Sequence, residues 1–381
     1  MKTEIRLSIS EKTPFAGGME FGTTGPYERI KGRVHFAVDP GEQAYSGITD
    51  LDKAPRNKKG LVDYSTDFLI LKPLELEKGN RRIFFDWGNR GNIRALQFFN
   101  DAVGSNDPQT LEEAGNGFLF RRGYSVVFAG WQGDLLAGNG RFLMDLPVAT
   151  DQGKSITGLV RCEYILEEEG VTTQPLSGWA STRSHPTVSL DTRQATLTRR
   201  QYGDSPREVI PPDQWMFARD EGGSGLDGVS KQTAIVPSDS NLYLPGGFEP
   251  GWIYELVYTG KDPLVLGLGH TAVRDFISFL KYDASDDEGT PNPLGSGMIE
   301  KAYGWGRSQT GRAIRDFVYH GYNEDLKGRK VFDGLLPHVS GAGLLWMNHR
   351  FANAVSPAGQ EHEVHHNLSL IHISEPTRLR H

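Results

Sequence analysis

The sequence has little cysteine, no long apolar run and no excess of positive charge. Cys162 is the only cysteine among 381 residues, which excludes an intramolecular disulfide and disfavours a cysteine-based metal site. No segment has the apolar length of a signal peptide or a membrane span, so we expect no membrane partner and a cytoplasmic location by default. The chain carries 41 Lys and Arg against 48 Asp and Glu, a net charge of −7, which disfavours a nucleic-acid partner.

Glycine and proline, by contrast, are abundant. The 46 glycines and 21 prolines predict many tight turns and long loops. Hydrophobic residues make up 37% of the chain and charged residues 23%, which is typical of a globular protein. A chain of this length can bury a large core, so the composition indicates an enzyme-sized domain with insertions.

Hydrophobic periodicity predicts an α/β fold. Residues 27–38 and 61–72 alternate apolar and polar, which indicates an antiparallel β region near the N-terminus. An apolar run at 82–86, helical spacing within 109–122 and a second apolar run at 124–130 follow. Strand, helix and strand in this order predict a parallel βαβ unit.

Residues 135–250 interrupt that alternation. They contain short alternating runs, such as 159–166 and 187–197, and are too long for a structureless loop, so we predict a β-rich insertion. The α/β pattern resumes after Leu264 and predicts, in order, a helix around 273–280, a strand at 299–305, a helix at 309–321 and a strand at 331–339. The fold class is therefore α/β with a mostly parallel sheet, an N-terminal antiparallel region and an insertion at about 135–250.

The segment 303–312, YGWGRSQTGR, carries the main functional signal. A serine nucleophile needs a base and oxyanion donors, and in α/β hydrolases it lies on a strained strand-to-helix turn. That turn requires small residues two places before and after the serine, which are Gly306 and Thr310 around Ser308. Thr310 is β-branched and fits less easily than the usual glycine. We predict Ser308 as nucleophile; the alternative is a turn in which Ser308 only caps a helix.

Two backbone N–H groups are candidates for the oxyanion hole. One belongs to Gln309, the residue after the nucleophile. The other comes from the loop after an earlier strand, where residues 86–92 read DWGNRGN and Arg90 is the candidate donor. The alternative for this loop is an ordinary turn in which Arg90 pairs with a carboxylate.

Gly267 and Gly269 form a possible dinucleotide-binding pattern, G-x-G-x-x-A, at the start of a helix. Asp286 and Asp287 lie at about the required distance, but the sequence between them and the glycines continues the helix without a second strand. Glycines that allow tight helix packing are the favoured interpretation, and no cofactor is expected. A non-catalytic binding module on a hydrolase scaffold stays open as an alternative function, because fold alone does not establish activity.

Several histidines were considered as metal ligands or as the general base. His362, His365 and His366 match no structured zinc spacing, so we predict no metal site. His338 and His349 follow the nucleophile, but they come too early for the order Ser, acid, His that this fold uses.

Several stretches of the chain occur in the same order in one known family. The sequence resembles a bacterial family of α/β-hydrolase-domain proteins over roughly residues 10–355, in the stretches TPFAGGMEFGTTGPYERIKGRVHFAVDP, ITDLDKAPRNKKGLVDYSTDFLILKP, NRGN, AGNGFLFRRGYSVVFAGWQGD, PGWIYELVYTGKDPLVLGLGHTAVRDFISFLKY and YGWGRSQTGRAIRDFVYHGYNEDLKGRKVFDGLLPHVSGAG. The resemblance implies an α/β-hydrolase fold, Ser308 as nucleophile and a small-molecule ester as substrate. It implies neither a particular ester nor an oligomeric state.

The C-terminal region departs from the expected hydrolase pattern. Only 73 residues follow Ser308, whereas two further strands are expected to carry the acid and the base. The resemblance ends around 355–367, and residues 369–381 resemble a translated sequencing adapter. We therefore predict a hydrolase domain at 1–367, incomplete at its C-terminus, a non-native tail at 368–381, and little or no esterase activity. The alternative is a genuine, divergent C-terminus.

Overall fold

The structure is a computed structural model that describes residues 3–178, 181–221, 234–341 and 345–353. In chain order its strands are β1 (Glu4–Pro14), β2 (Tyr27–Val38), β3 (Val62–Pro73), β4 (Arg82–Trp87), β5 (Ser125–Ala129), β6 (Met144–Asp145), β7 (Thr150–Asp151), β8 (Lys154–Ser155), β9 (Thr157–Ile165), β10 (Thr173–Pro175), β11 (Thr196–Arg200), β12 (Glu208–Ile210), β13 (Ala218–Asp220), β14 (Ile235–Pro237), β15 (Asn241–Tyr243), β16 (Ile253–Lys261), β17 (Lys301–Arg307) and β18 (Gly334–His338).

The α-helices are α1 (Ala95–Asn100), α2 (Leu111–Ala114), α3 (Phe118–Arg121), α4 (Leu268–Tyr282) and α5 (Gln309–Tyr319). Short 3₁₀ helices lie at Phe15–Gly18, Gly22–Thr24, Gln43–Tyr45, Leu51–Lys53, Leu76–Lys78, Thr192–Gln194 and Pro212–Gln214. Within the described ranges, none of the helices combines the length and the apolar character needed to cross a membrane.

The described residues form two compact units. The first contains residues 3–133, 137–147 and 266–341, and the second contains residues 134–136, 148–178, 181–221, 234–265 and 345–353. The first unit therefore joins the N-terminal β region to both long helices and to the segment that carries Ser308.

An eight-stranded sheet forms the centre of the first unit. Its strand order is β1-β2-β3-β5-β4-β17-β18, and β6 pairs with β3 outside this path. Strands β1 to β3 are antiparallel to one another and β3 is antiparallel to β5, whereas β5, β4, β17 and β18 are parallel. The sheet is thus mixed rather than mostly parallel, because the predicted N-terminal antiparallel region continues the same sheet instead of standing apart from it.

Helices cover both faces of this sheet. Alternate side chains of a strand point to opposite faces, so a single strand contacts both helical layers. Leu69 and Leu71 of β3 belong to a core that includes residues from α1 and α3. On the other face, Phe68 packs against Phe276 of α4, with ring centres 5.4 Å apart. Both faces of β3 are therefore buried, as in a layered α/β domain.

The predicted helical segment 109–122 consists of two short helices rather than one. A capping box at Thr110 and Glu113 starts α2, and α3 follows after a break. The break falls at Gly115 and Gly117, which have φ angles of 60° and 69°, outside the right-handed helical region. Helix α1 and strand β1 were not predicted from the sequence.

The second unit is built from short antiparallel strands around a separate core. Its largest sheet has the order β12-β11-β16-β9, and β16 pairs with β9 from Ile253↔Ile165 to Lys261↔Thr157. Buried side chains from these strands and the loops around them form one apolar cluster, which includes Leu197, Trp215, Leu242, Leu256 and Tyr258. The unit takes in β16, which lies beyond residue 250, the limit predicted for the insertion.

Candidate functional site

The strand order places the two predicted motifs at the carboxyl ends of two neighbouring central strands. The chain passes from β4 to β5 on one side of β4, and β17 and β18 lie on the other side. In open α/β sheets, ligands bind outside the carboxyl ends of the strands at the point where the order reverses in this way. Here that point lies between β4 and β17, whose carboxyl ends lead into the NRGN turn and into Ser308.

Ser308 has an unusual backbone conformation, with φ 62° and ψ −117°. Its N–H donates to the carbonyl oxygen of His338 at 3.0 Å, and its own carbonyl accepts the N–H of Arg312 at 3.1 Å. Such a conformation costs a non-glycine residue about 1–3 kcal/mol and persists only where the surroundings enforce it. The sheet holds Ser308 through its N–H and the helix holds it through its carbonyl, so the sharp turn is enforced from both sides.

The Ser308 hydroxyl is not used to cap the helix. The side chain is exposed, and although Ser308 occupies the N-cap position of α5, it makes no capping hydrogen bond. A serine retained as a cap would accept a hydrogen bond from an amide of the first helical turn. The capping interpretation therefore explains the position of Ser308 but not the free orientation of its hydroxyl.

Thr310 stabilises this turn through its own hydroxyl. The side chain is buried, and its Oγ1 accepts the N–H of Arg307 at 2.7 Å and donates to the carbonyl of Arg307 at 3.1 Å. The departure from a second glycine therefore adds two hydrogen bonds across the nucleophile turn. The sequence identified Thr310 as the small residue but not this role, although a hydroxyl three residues after Arg307 was the available signal.

Glycine is needed where α5 approaches the sheet. A Cβ at Gly306 would lie 2.7 Å from the carbonyl oxygen of Thr310, and one at Gly311 would lie 2.9 Å from that of His338. These distances are too short for an unstrained contact between a carbon and a carbonyl oxygen. Both glycines therefore allow the close packing on which the turn at Ser308 depends.

The NRGN turn contacts the turn at Ser308. Asn89 and Asn92 exchange backbone hydrogen bonds of 2.8 and 3.1 Å across it, and the two central residues, Arg90 and Gly91, have φ angles of 52° and 76°. The Asn89 side chain donates from Nδ2 to the carbonyl oxygen of Arg307 at 3.0 Å. The structure therefore brings the two predicted segments into direct contact one residue before Ser308.

Asp86 holds the residues that follow the NRGN turn. The sequence did not identify this carboxylate as a site residue. Its side chain is buried, and Oδ2 accepts the N–H groups of Arg94 and Ala95 at 2.6 and 2.8 Å. Burial raises the pKa of this carboxyl group to about 6, although the two amide donors act in the opposite direction. A second anchor is Trp131, whose indole N–H donates to the carbonyl of Gly88 at 2.8 Å.

The two candidate oxyanion donors lie on these two turns. Gln309 is the first residue of α5, so its N–H lies at the positive end of the helix dipole, directly after Ser308. Its side chain is buried and donates from Nε2 to Gln132 Oε1 at 3.2 Å. Arg90 is at the centre of the NRGN turn. The oxyanion roles of Gln309 and Arg90 stay predictions.

Among the described histidines, His338 lies beside Ser308 in the sheet. It ends β18, its side chain is exposed, and its ring centre is 6.4 Å from that of Trp305. His338 comes too early in the chain for the general base in the order Ser, acid, His, and nothing in the structure tests that role. His349 belongs to the second unit, whereas the histidines at 362, 365 and 366 lie outside the described residues.

Gly267 and Gly269 do not form a dinucleotide-binding turn. Gly267 has φ −55° and ψ −22°, an ordinary helical conformation, and the strand before it, β16, belongs to the antiparallel sheet of the second unit. No strand lies between α4 and β17, a stretch that the structure describes completely. Asp286, the acidic residue considered for a ribose, accepts the N–H of Leu7 at 2.7 Å.

Residues 222–380 match a family model described as an alpha/beta hydrolase domain, which is less than half of the 381-residue chain. Searches of curated proteins and of solved structures found no match. The matched range contains both long helices, β17 and Ser308, and it extends into the segment 368–381, whose predicted non-native origin stays a prediction. The match supports the family resemblance, fits the α/β class and indicates a hydrolase-type function.

Proposed function

We propose that this chain is a serine hydrolase that acts on carboxylic esters through an acyl-enzyme on Ser308. The observation that carries the proposal is the backbone of Ser308, held at φ 62° between a central parallel strand and the N-terminus of α5 while its hydroxyl stays exposed. Strained residues of this kind cluster at active sites, and a strained serine on a strand-to-helix turn is the geometry of a nucleophile elbow.

The proposed reaction uses the two turns described above. Oγ of Ser308 attacks the ester carbonyl carbon while a general base accepts the hydroxyl proton. The N–H groups of Gln309 and Arg90 stabilise the negative charge that develops on the carbonyl oxygen. Collapse of the tetrahedral intermediate breaks the ester bond and releases the alcohol with a proton, and water then hydrolyses the acyl-enzyme to the free acid and Ser308.

Labelling with a fluorophosphonate, followed by peptide mapping, tests the nucleophile. A single covalent event is easier to detect than turnover, so it is measured first; a panel of p-nitrophenyl esters follows. Ser308→Ala should abolish labelling and reduce ester turnover by roughly 10³-fold or more. Ser10→Ala, which removes an exposed hydroxyl from β1, is the matched control and should leave both unchanged.

The labelling experiment distinguishes the candidate functions, and one further variant tests the general base. Labelling that persists in Ser308→Ala would show that another residue is the nucleophile. A folded wild-type chain that binds an ester analogue but is not labelled at Ser308 would favour the non-catalytic binding module. His338→Ala tests the base separately: loss of labelling with an intact fold would assign the proton transfer to His338, and retained labelling would exclude it.

A further inference from the structure

Arginines gather around Ser308 in a chain that is acidic as a whole. We define the arginine cluster as Arg90, Arg94, Arg307 and Arg312. Arg307 directly precedes Ser308, and the N–H of Arg312 binds the Ser308 carbonyl at 3.1 Å. Arg90 lies in the turn attached to Arg307, and Arg94 lies just before α1. With a net charge of −7 for the chain, this concentration of positive charge does not follow from composition.

Two members of the cluster interact with charged groups outside it, since Arg312 lies near Arg315 and the charge of Arg94 acts on Asp86. Arg312 is buried, and burial together with the charge of Arg315 lowers its pKa. The carboxylate at the end of β4, Asp86, is buried and already accepts two amide N–H groups. A concave or exposed region dominated by one sign of charge attracts ligands of the opposite sign. An anionic group near Ser308 would therefore be attracted to Arg307, the exposed arginine that directly precedes it.

Arg307 is the exposed member that lies closest to the nucleophile in the chain. Its guanidinium lies over the ring of Phe98, 5.3 Å from the ring centre, and Phe98 itself is 43% exposed. A cation–π contact holds the guanidinium near the ring and leaves its N–H groups available for a carboxylate. Arg307 ends β17 and directly precedes Ser308, so both residues lie at the carboxyl end of the same central strand.

Three other arginines that lie over aromatic rings differ from Arg307 in one respect, whereas Arg122, which lies over Phe118, resembles Arg307 in having no ion pair among the described residues. Arg199, Arg274 and Arg329 also lie over aromatic rings, at 4.5, 5.5 and 4.2 Å. Each of them forms an ion pair with a carboxylate, at 3.0, 2.7 and 2.7 Å respectively. Within the described part of the chain no carboxylate pairs with Arg307 in this way. The anion that the other three find within the protein is thus missing at the proposed active site.

We infer that Arg307, stacked on Phe98, binds a free carboxylate of the substrate, so that the chain selects esters whose acyl part ends in a second carboxyl group. The inference rests on the proposed function, because it places this subsite beside an acylated Ser308. The exposed Phe98 ring offers an apolar surface to the methylene chain between the ester and the carboxylate. The bidentate N–H edge of the guanidinium then distinguishes a carboxylate from a methyl group at the end of that chain.

Two fluorophosphonates of equal length, one ending in a carboxylate and one in a methyl group, test the inference in a single covalent step. The wild-type chain should react faster with the carboxylate probe, and Arg307→Gln should lower the ratio of the two rate constants by about tenfold. Arg307→Glu should invert the preference, and Arg307→Lys should keep part of it as a point charge. A ratio that does not change in Arg307→Gln and Arg307→Glu would overturn the inference.

Arg122 provides the matched control. It is also exposed and stacks on a phenylalanine, with 5.7 Å to the centre of the Phe118 ring, but it precedes β5 and so lies at the amino end of the parallel strands. Arg122→Gln removes the same charge and the same kind of stacking, and it should leave the ratio unchanged. An equal fall of the ratio in both variants would show a general charge effect and would reject a specific subsite.

A binding measurement separates failure of this inference from failure of the proposed function. Adipate should bind Ser308→Ala in calorimetry, and adding Arg307→Gln should weaken that binding about tenfold. Hexanoate, of equal length with one carboxylate, should bind more weakly than adipate. Labelling at Ser308 without selectivity and without adipate binding would leave the hydrolase standing and refute the subsite. Adipate binding that depends on Arg307, without labelling, would retain the subsite and refute the hydrolase.

Discussion

The two long helices of the first unit begin at sequences that look alike, GRSQTG before α5 and GLGHTA before α4. Helix α5 follows directly from β17, and the residue at the junction, Ser308, has a positive φ and an exposed side chain. Helix α4 starts from Gly267 in an ordinary helical conformation, and the residues of its first turn are buried. Similar small residues therefore accompany a strained, exposed turn in α5, where a central parallel strand leads straight into the helix, but not in α4.

The histidine of the α4 segment shows the same contrast. His270 is buried, and its Nε2 lies 2.8 Å from Oδ2 of Asp316 on α5, so this pair joins the two helices inside the unit. The side chains at the start of α4 are buried, whereas Ser308 and Arg307 at the start of α5 are exposed. One segment thus stabilises the unit, and the other presents chemical groups at the carboxyl edge of the sheet.

Replacing the glycine of each segment should give the largest difference in stability. Gly306→Ala places a Cβ 2.7 Å from the backbone of Thr310 and should lower the free energy of unfolding by about 3–4 kcal/mol. Gly267→Ala introduces a methyl group at a buried position with φ −55°, where the backbone is unstrained, and should lower stability less than Gly306→Ala. Urea unfolding of both variants measures this, and equal effects would remove the distinction between the two turns.

The sequence predicted the elements that depend on local pattern. Strand β2 is Tyr27–Val38, the range that alternation predicts, because a half-buried strand shows its period directly. The strand, the small residues and the helix around Ser308 were predicted for the same reason, since they follow one another within one short segment. The oxyanion roles and the general base stay predictions, since they depend on atoms that meet across the sheet.

Features fixed by distant contacts could not be predicted in the same way. The mixed sheet depends on β3 pairing with β5, more than fifty residues away. Helix α1 is only six residues long, so its apolar period is too short to be recognised. The raised pKa of Asp86 comes from burial under the loop, which composition and spacing do not reveal. The two hydrogen bonds between the Thr310 hydroxyl and Arg307 are local, but the pattern G-x-S-x-G specifies only a small residue at this position and no hydroxyl.

The carboxyl end of the parallel strands should also differ from the α4 segment in how its contribution to stability depends on pH, because Asp86 lies there. The pKa of Asp86 is about 6 in the folded protein against 3.8 ordinarily, so ionisation favours the unfolded chain. The penalty is absent below about pH 4, where both states are protonated, and is complete above about pH 6. Relative to Asp86→Asn, wild-type stability should therefore fall by about 2–3 kcal/mol as the pH rises through this window. Parallel curves for the two proteins, measured by urea unfolding at several pH values, would contradict this.

Thr310→Val should weaken the nucleophile turn without changing its volume much. The substitution removes the two hydrogen bonds between Oγ1 and the backbone of Arg307, so the free energy of unfolding should fall by about 1–2 kcal/mol. Thr310→Ser keeps the hydroxyl and should retain most of the stability. Thr310→Gly restores the strict G-x-S-x-G pattern but should be at least as unstable as the valine variant. A gain in stability would show that the hydroxyl does not stabilise the turn.

The smallest expected effect isolates the strain at Ser308. Ser308→Ala and Ser308→Gly both lack the hydroxyl, so a difference between them reports the backbone alone. Alanine retains the cost of φ 62°, whereas glycine adopts positive φ freely but loses about 0.5–1 kcal/mol more through its flexible unfolded chain. The glycine variant should therefore be more stable by about 1 kcal/mol in urea unfolding with matched denaturant slopes.

The same pair of substitutions at Ser10 gives the control, because this residue lies at a bulge of strand β1 and does not have a positive φ. There no strain opposes alanine, so the sign should reverse and glycine should be the less stable variant by about 1 kcal/mol. If alanine were as stable as glycine at position 308, the turn would not be strained. Ser308 would then differ from the start of α4 only in exposure, and the principal argument for a nucleophile elbow would fail.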